Sequence, residues 1–151
     1  MIYNNLYYSD EKDILDLKDK SIVPVIPVNC KGVMGAGLAL QFKNKYPNLF
    51  NEYVDACNNG EVEIGHVLLL FNDNHMFLLF PTKDDWRTPS SLDYIESGLD
   101  GVCKFLDAFP EAKIAFPPLG CGLGALLKED VLPIIYEKTK QYPNDKYLIG
   151  F

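Results

Sequence analysis

Two glycine loops, each set between an apolar run and a helical pattern, restrict the folds open to this chain more than any other feature. The first reads Gly32-Val33-Met34-Gly35-Ala36-Gly37. The second, Gly120-Cys121-Gly122-Leu123-Gly124, follows Pro117-Pro118-Leu119. A strand that turns into a helix through glycines leaves backbone N–H groups facing outward, and the missing side chains let an anion come close. One such loop is a common tight turn. Two in one small domain can close on a single diphosphate from opposite sides. Neither has the G-x-G-x-x-G spacing of a dinucleotide fold, and neither is followed by Gly-Lys-Ser/Thr, so a nicotinamide dehydrogenase and a P-loop nucleotidase are both disfavoured.

The surrounding pattern is that of an α/β domain. Strands are expected at Asn5 to Ser9, Ile22 to Val28, Val67 to Phe71, Met76 to Phe80, Ala112 to Phe116 and Lys146 to Phe151. The third and fourth read as a hairpin, which makes the sheet mixed. Pro24 and Pro27 cannot donate to a ladder, so an edge or irregular position is open to the second strand. Helical spacing covers Gly37 to Tyr46, a segment capped by Asn48, a long helix from Ser90 or Ser91 to about Ala108, and Lys128 to Lys140. Pro133 is placed near enough the start of the last helix for its first turn to absorb it. Pro81 to Pro89 reads as a polar loop. At 151 residues with 48% apolar side chains, a single domain, 1–151, with a substantial core is expected.

Charge and cysteine usage exclude several function classes. A net charge of −7 argues against tight binding to unmodified duplex nucleic acid, which needs a basic footprint. It does not exclude backbone recognition of one small anion. The four cysteines, Cys30, Cys57, Cys103 and Cys121, have no C-x-x-C pair and no ligand spacing with His66 or His75. No metal site, cofactor or disulfide framework is inferred, and a reducing, cytoplasmic setting is expected. No signal peptide or membrane-length apolar run is read.

Four places carry potential chemistry. Asn29 stands where the second strand meets the first glycine loop; it either offers a donor and an acceptor to sugar hydroxyls or caps the turn. Lys83 lies in Phe80-Pro81-Thr82-Lys83-Asp84-Asp85-Trp86-Arg87, beside the only tryptophan. Near a sugar, such a lysine acts as a nucleophile or as a cation opposite developing charge. Trp86 either stacks on a ring or packs inside, and Arg87 pairs with phosphate or with Asp84 or Asp85. Lys31, Lys83 and Arg87 together form a candidate basic patch. Asp13 and Asp16, acidic residues ahead of the Ile22 to Val28 run, are placed either to accept from an adenine amine or to cap a surface helix. Cys30 and Cys121 are read as small packing residues.

Asn29-Cys30-Lys31-Gly32-Val33-Met34-Gly35-Ala36-Gly37-Leu38-Ala39-Leu40-Gln41-Phe42-Lys43, the Phe80 to Lys83 block with Trp86-Arg87, and Pro117 to Gly124 together resemble a macrodomain. The branch they resemble is that of the DNA ADP-ribosyl glycohydrolase antitoxins, related to the terminal ADP-ribose protein glycohydrolase. The resemblance implies a three-layer α/β/α sandwich with a mixed, about six-stranded sheet that binds ADP-ribose at the strand ends. It implies that Asn29 contacts the distal ribose, that Gly35, Ala36 and Gly37 line the ribose and diphosphate, and that Gly120, Cys121, Gly122, Leu123 and Gly124 form the diphosphate loop. Asp13, with Ile14 beside it, takes the adenine role, although Lys12-Asp13 stands where the family pair is Gly-Asp. Lys83 matches the lysine of ADP-ribose removal. The protein glycohydrolase carries an aspartate in the second loop where this chain has Gly124. The implied activity is hydrolytic removal of an ADP-ribosyl group from a target, nucleic acid or protein. ADP-ribose 1″-phosphate hydrolysis and ADP-ribose binding without turnover are the alternatives.

Overall fold

In a computed structural model, which describes residues 4–151, the chain forms six strands and four helices. They are β1 (Leu6–Tyr8), β2 (Ile22–Asn29), α1 (Gly37–Lys45), α2 (Pro47–Asn58), β3 (Leu68–Asn72), β4 (His75–Lys83), α3 (Leu92–Ala108), β5 (Lys113–Phe116), α4 (Lys128–Thr139) and β6 (Lys146–Leu148). One sheet takes the order β1-β6-β5-β2-β4-β3. Every pairing is parallel except the β3–β4 hairpin.

Alternation along the strands divides the core into two layers. Ile26 and Val28 of β2, Phe77 and Leu79 of β4 and Ala115 of β5 pack with Phe42, Leu49 and Tyr53 of α1 and α2. Val23, Val25, Leu78, Phe80, Ile114 and Phe116 pack on the other face with Ile95, Leu99 and Val102 of α3 and with Val131 and Ile135 of α4. A strand covered by helices on both faces needs apolar residues at every position, which is how β2, β4 and β5 read. Gly98 lets α3 lie close to the sheet: a Cβ there would sit 2.2 Å from the Phe80 ring.

Several expectations are corrected by the fold. Despite its prolines, β2 is central, lying between β5 and β4. It tolerates them because the ladder to β5 runs over residues 22–24 and that to β4 over 25–29, so a missing donor costs one bond and not a whole register. Pro47, and not Asn48, begins α2: it occupies the first turn, where its absent N–H is not missed. Strand β4 continues through Pro81 and Thr82 to Lys83, so Lys83 is a strand residue. Pro133 lies past the first turn of α4 and forgoes one intrahelical bond. Strand β6 stops at Leu148, before Gly150 takes φ +78. Ser91 caps α3, accepting from the Tyr94 N–H at 3.3 Å.

Candidate active site

The carboxyl ends of β5, β2 and β4 lie side by side in the sheet, and the chain leaves them in different directions. Such a switch point opens a crevice above the sheet. Here it is a cleft of about 760 Å³, walled by the two glycine loops and floored by Val28, Asn29, Thr82 and Pro117.

Asn29 and Lys83 are brought opposite each other by an irregularity between the strands. Val28 pairs with Pro81, but Asn29 pairs with Lys83, so the register slips by one and Thr82 is left over. Such a slip re-aims side chains at a strand end. Asn29 is buried, and its amide shapes the first loop. Its Nδ2 donates to Val33 O at 2.7 Å, and its Oδ1 accepts from Lys31 N at 2.9 Å. The hydroxyl of buried Tyr53 reaches Asn29 O at 2.7 Å and Oδ1 at 3.0 Å. The turn-capping role is therefore present in the fold, and a second Nδ2–H remains for a ligand at the cleft floor.

The first loop then enters α1 with its donors open. Ala36 is extended and provides no side-chain cap, and α1 has no acidic residue in its first turn. The N–H groups of Gly37, Leu38 and Ala39 therefore end at the cleft wall without a competing carboxylate. Met34, buried in the core, anchors the loop from beneath.

The second loop folds onto itself. Leu126 N donates to Gly120 O at 2.9 Å, Ala125 N to Gly122 O at 3.1 Å, and Ser90 N to Gly124 O at 3.0 Å. The N–H groups of Gly122, Leu123 and Gly124 have no acceptor among the described residues, so three consecutive donors stand beside the cleft. Gly120 has φ +73 and no room for a Cβ beside Leu126 and Ser90. A Cβ on Gly124 would lie 2.3 Å from Gly120 O. The aspartate of the protein glycohydrolase thus has no place in this loop, since backbone, not a movable side chain, fills the space.

The Lys83 ammonium spans the cleft mouth. Its Nζ donates to Leu123 O at 3.2 Å and to Trp86 O at 3.4 Å, joining the second loop to the segment after β4. It makes no ion pair among the described residues. The neighbouring acids are turned elsewhere: Asp84 lies 3.8 Å from Lys31, and Asp85 grips Arg87 through Nε and Nη2 at 2.9 and 2.6 Å. Arg87 and its own backbone N–H hold the Asp85 carboxyl well below the usual carboxylate range. The expected basic patch is therefore largely neutralised, with only Lys83 free of a carboxylate. Arg87 pairs with Asp85, and Trp86 is exposed, not core.

Asp13 and Ile14 do not line the cleft. The Asp13 carboxylate accepts from Leu15 N at 3.0 Å, and Ile14 is buried in the α1–α2 layer. Cys30 and Cys121 are half-buried thiols; burial pushes Cys30 up to about 11 and also raises Cys121, so neither is an activated nucleophile. Two site residues escaped the sequence reading. Ser90 ties the strand irregularity to the second loop: its hydroxyl donates to Thr82 O while its N–H donates to Gly124 O. Lys128, in the first turn of α4, lines the cleft and donates to Gly150 O at 2.7 Å. A lysine at a helix start gives no signal in sequence, and only the return of β6 beside β5 brings Gly150 to it. Among the described residues, no three His, Cys, Asp or Glu side chains are placed to hold a metal ion. No helix among them is long and apolar enough to cross a membrane.

Comparison with known proteins agrees with this geometry. The family model described as Macro domain matches residues 25–135. The DNA ADP-ribosyl glycohydrolase of Mycobacterium tuberculosis is 43% identical over 122 residues, covering 78% of this chain and 34% of that protein. The chain thus spans about a third of the length of the curated relatives it matches. The solved macrodomain of Mycobacterium tuberculosis DarG superposes with a TM-score of 0.87 at 36% identity, covering 95% of each chain. Thermosipho africanus DarTG in complex with ADP-ribose gives 0.78 at 32% identity, over 95% of this chain and 41% of that one. With a strand-end cleft between two glycine loops and a family model matching most of its length, this chain belongs to the macrodomain family.

Proposed function

We propose that the chain is an ADP-ribose-binding hydrolase that removes a terminal ADP-ribosyl group from a nucleic-acid base. The observation that carries this reading is the facing pair Asn29, on the floor, and Lys83, at the mouth, of a cleft whose two loops present unpaired backbone donors. The names of the relatives and the ADP-ribose held by the Thermosipho africanus protein support it. The diphosphate lies between the donors of residues 37–39 and those of 122–124. The distal ribose reaches Asn29, and its anomeric carbon faces Lys83. Asp13 and Ile14, which are not among the residues that line the cleft, are assigned no contact.

In the reaction, a water oxygen bonds to the anomeric carbon as the carbon–nitrogen bond to the base breaks. The bonding pair leaves on the base, which takes up the proton the water gives up. Lysine has three N–H donors, and two are directed at backbone carbonyls, so the third is free to meet the charge developing on the departing base. With Gly124 in place of an acid and Asp84 and Asp85 turned away, no carboxylate stands ready to take a proton from Lys83. This favours a cationic role over a nucleophilic one.

Release of ADP-ribose from a modified oligonucleotide tests the reading. Lys83→Ala is expected to slow it by about 10²–10³-fold while calorimetric ADP-ribose affinity changes little. Equal rates for the two proteins would remove Lys83 from the mechanism. Borohydride capture of a Lys83–sugar adduct would replace the cationic role with a nucleophilic one. Phosphate release from ADP-ribose 1″-phosphate, without release from the oligonucleotide, would move the assignment to a phosphatase. Binding without turnover of either would leave a reader of ADP-ribose.

A further inference from the structure

The two large hydrophobic side chains most exposed at the cleft are Trp86 and Leu123, at 52% and 75% exposure. Their placement is not independent. Both of their carbonyls lie within 3.4 Å of the same atom, Lys83 Nζ, so one ammonium holds their backbones on either side of it. Trp86 is further fixed by Arg87, whose guanidinium lies 5.6 Å from the ring centroid and is itself clamped to Asp85. An indole held on one side and open on the other is a platform for a flat ring.

We propose that Trp86 and Leu123 form a subsite for the base that carries the ADP-ribosyl group, with the base stacked on the indole and bounded by the leucine. This rests on the reading above, since it takes Lys83 to mark the bond that breaks. The group beyond that bond then enters the space between Trp86 and Leu123. The charges around it exclude the obvious alternative, a phosphate-tracking groove. Lys31 and Arg87 each face a carboxylate, and the chain carries −7 overall, so the strand flanking the base finds little to pair with. Recognition is thus by a stacked ring, which requires the base to stand out of a duplex or to lie in a single strand. Salt then weakens binding of the modified strand little more than binding of free ADP-ribose.

Trp86 is the only tryptophan, so its fluorescence reports on the subsite directly. The probes are free ADP-ribose, a short single-stranded oligonucleotide carrying one base joined to ADP-ribose through a non-hydrolysable carbocyclic linkage, and the same oligonucleotide unmodified, titrated into the protein with Lys83 in place, since its ammonium positions both side chains. The modified strand is expected to quench Trp86 and to bind about 5- to 100-fold tighter than ADP-ribose, the range base stacking provides. Trp86→Ala, which removes an exposed side chain, is expected to abolish that advantage while leaving ADP-ribose affinity and melting temperature unchanged. Equal affinity of the modified strand and ADP-ribose for the parent protein would overturn the subsite. So would quenching by free ADP-ribose as strong as that by the modified strand, which would place Trp86 against ADP-ribose itself. Because these readouts need no turnover, a protein that shows the advantage but releases nothing would refute the hydrolase and keep the subsite.

Discussion

Replacing Gly124 by alanine tests how the second loop is built. The added Cβ would lie 2.3 Å from Gly120 O, 2.8 Å from Gly120 C and 2.9 Å from Gly120 Cα. All three are backbone atoms of the same loop, so no rotamer change relieves the clash and the loop has to open. Opening strains the Leu126 N–Gly120 O and Ser90 N–Gly124 O bonds, at 2.9 and 3.0 Å. Overpacking of this kind costs about 1–3 kcal/mol, and each lost bond adds about 1 kcal/mol. The expected loss is about 2–5 kcal/mol, a fall in Tm of roughly 5–15 °C for a domain of this size. ADP-ribose affinity should fall with it, because the donors of residues 122–124 lose their alignment. Gly122→Ala is the control: nothing lies within 4 Å of its Cβ, so Tm should hold within about 2 °C. Thermal melts and calorimetry on the two variants decide the matter. A Gly124→Ala protein with the parent's Tm and affinity would refute the loop packing. It would also refute the conclusion that Gly124→Asp cannot install a carboxylate beside Lys83.

Other perturbations have equally definite outcomes. Gly122→Glu should retain the parent's melting temperature and lose ADP-ribose binding in calorimetry, since the side chain has room but brings negative charge to the diphosphate donors. Tyr53→Phe removes the hydroxyl that holds both oxygens of Asn29, so it should cost about 1–2 kcal/mol in chemical denaturation and weaken ADP-ribose binding. Hydrogen bonds from Ser21 and Lys113 hold the Asp19 carboxyl down to about 2. A carboxyl pKa lowered by folding stabilises the fold above its unfolded value and ceases to do so as pH falls through the folded one. The brace at the head of β2 should therefore persist at pH 4 and disappear near pH 2. The Asp19 carboxyl resonance followed by NMR, with Asp19→Asn as reference, measures this; a midpoint near 4 would contradict the brace.

Much of the architecture was legible because period and punctuation carry it. Apolar runs of strand length, helical stripes and the turn at Asn72 to His75 set the order of elements, since each depends on neighbours close along the chain. The glycine loops were legible for the same reason: φ +73 favours glycine at Gly120, where a Cβ would also meet Leu126 and Ser90, and the backbone contact at Gly124 leaves no room for a side chain, so the residue type records the geometry. What remained hidden depends on pairs far apart in sequence. That β2 is central despite two prolines follows from which strands flank it, and that Lys83 faces Asn29 follows from a one-residue slip between β2 and β4. Asp13 was a candidate by its position before the first long strand, and in the fold one of its carboxylate oxygens accepts a local bond from Leu15 N. Ser90 looked like a helix cap and instead joins β4 to the second loop. The pairing of Arg87 with Asp85, which empties the expected basic patch, was one of two options in the sequence, and side-chain geometry chose between them. The chain's own order of residues thus determined two glycine loops and the elements that carry them. Tertiary structure alone decided that the loops share one cleft, that a single ammonium joins the second loop to the segment after β4, and that an acid has no room at Gly124. Local conformation is written in residue type, whereas juxtaposition is written in strand order and register.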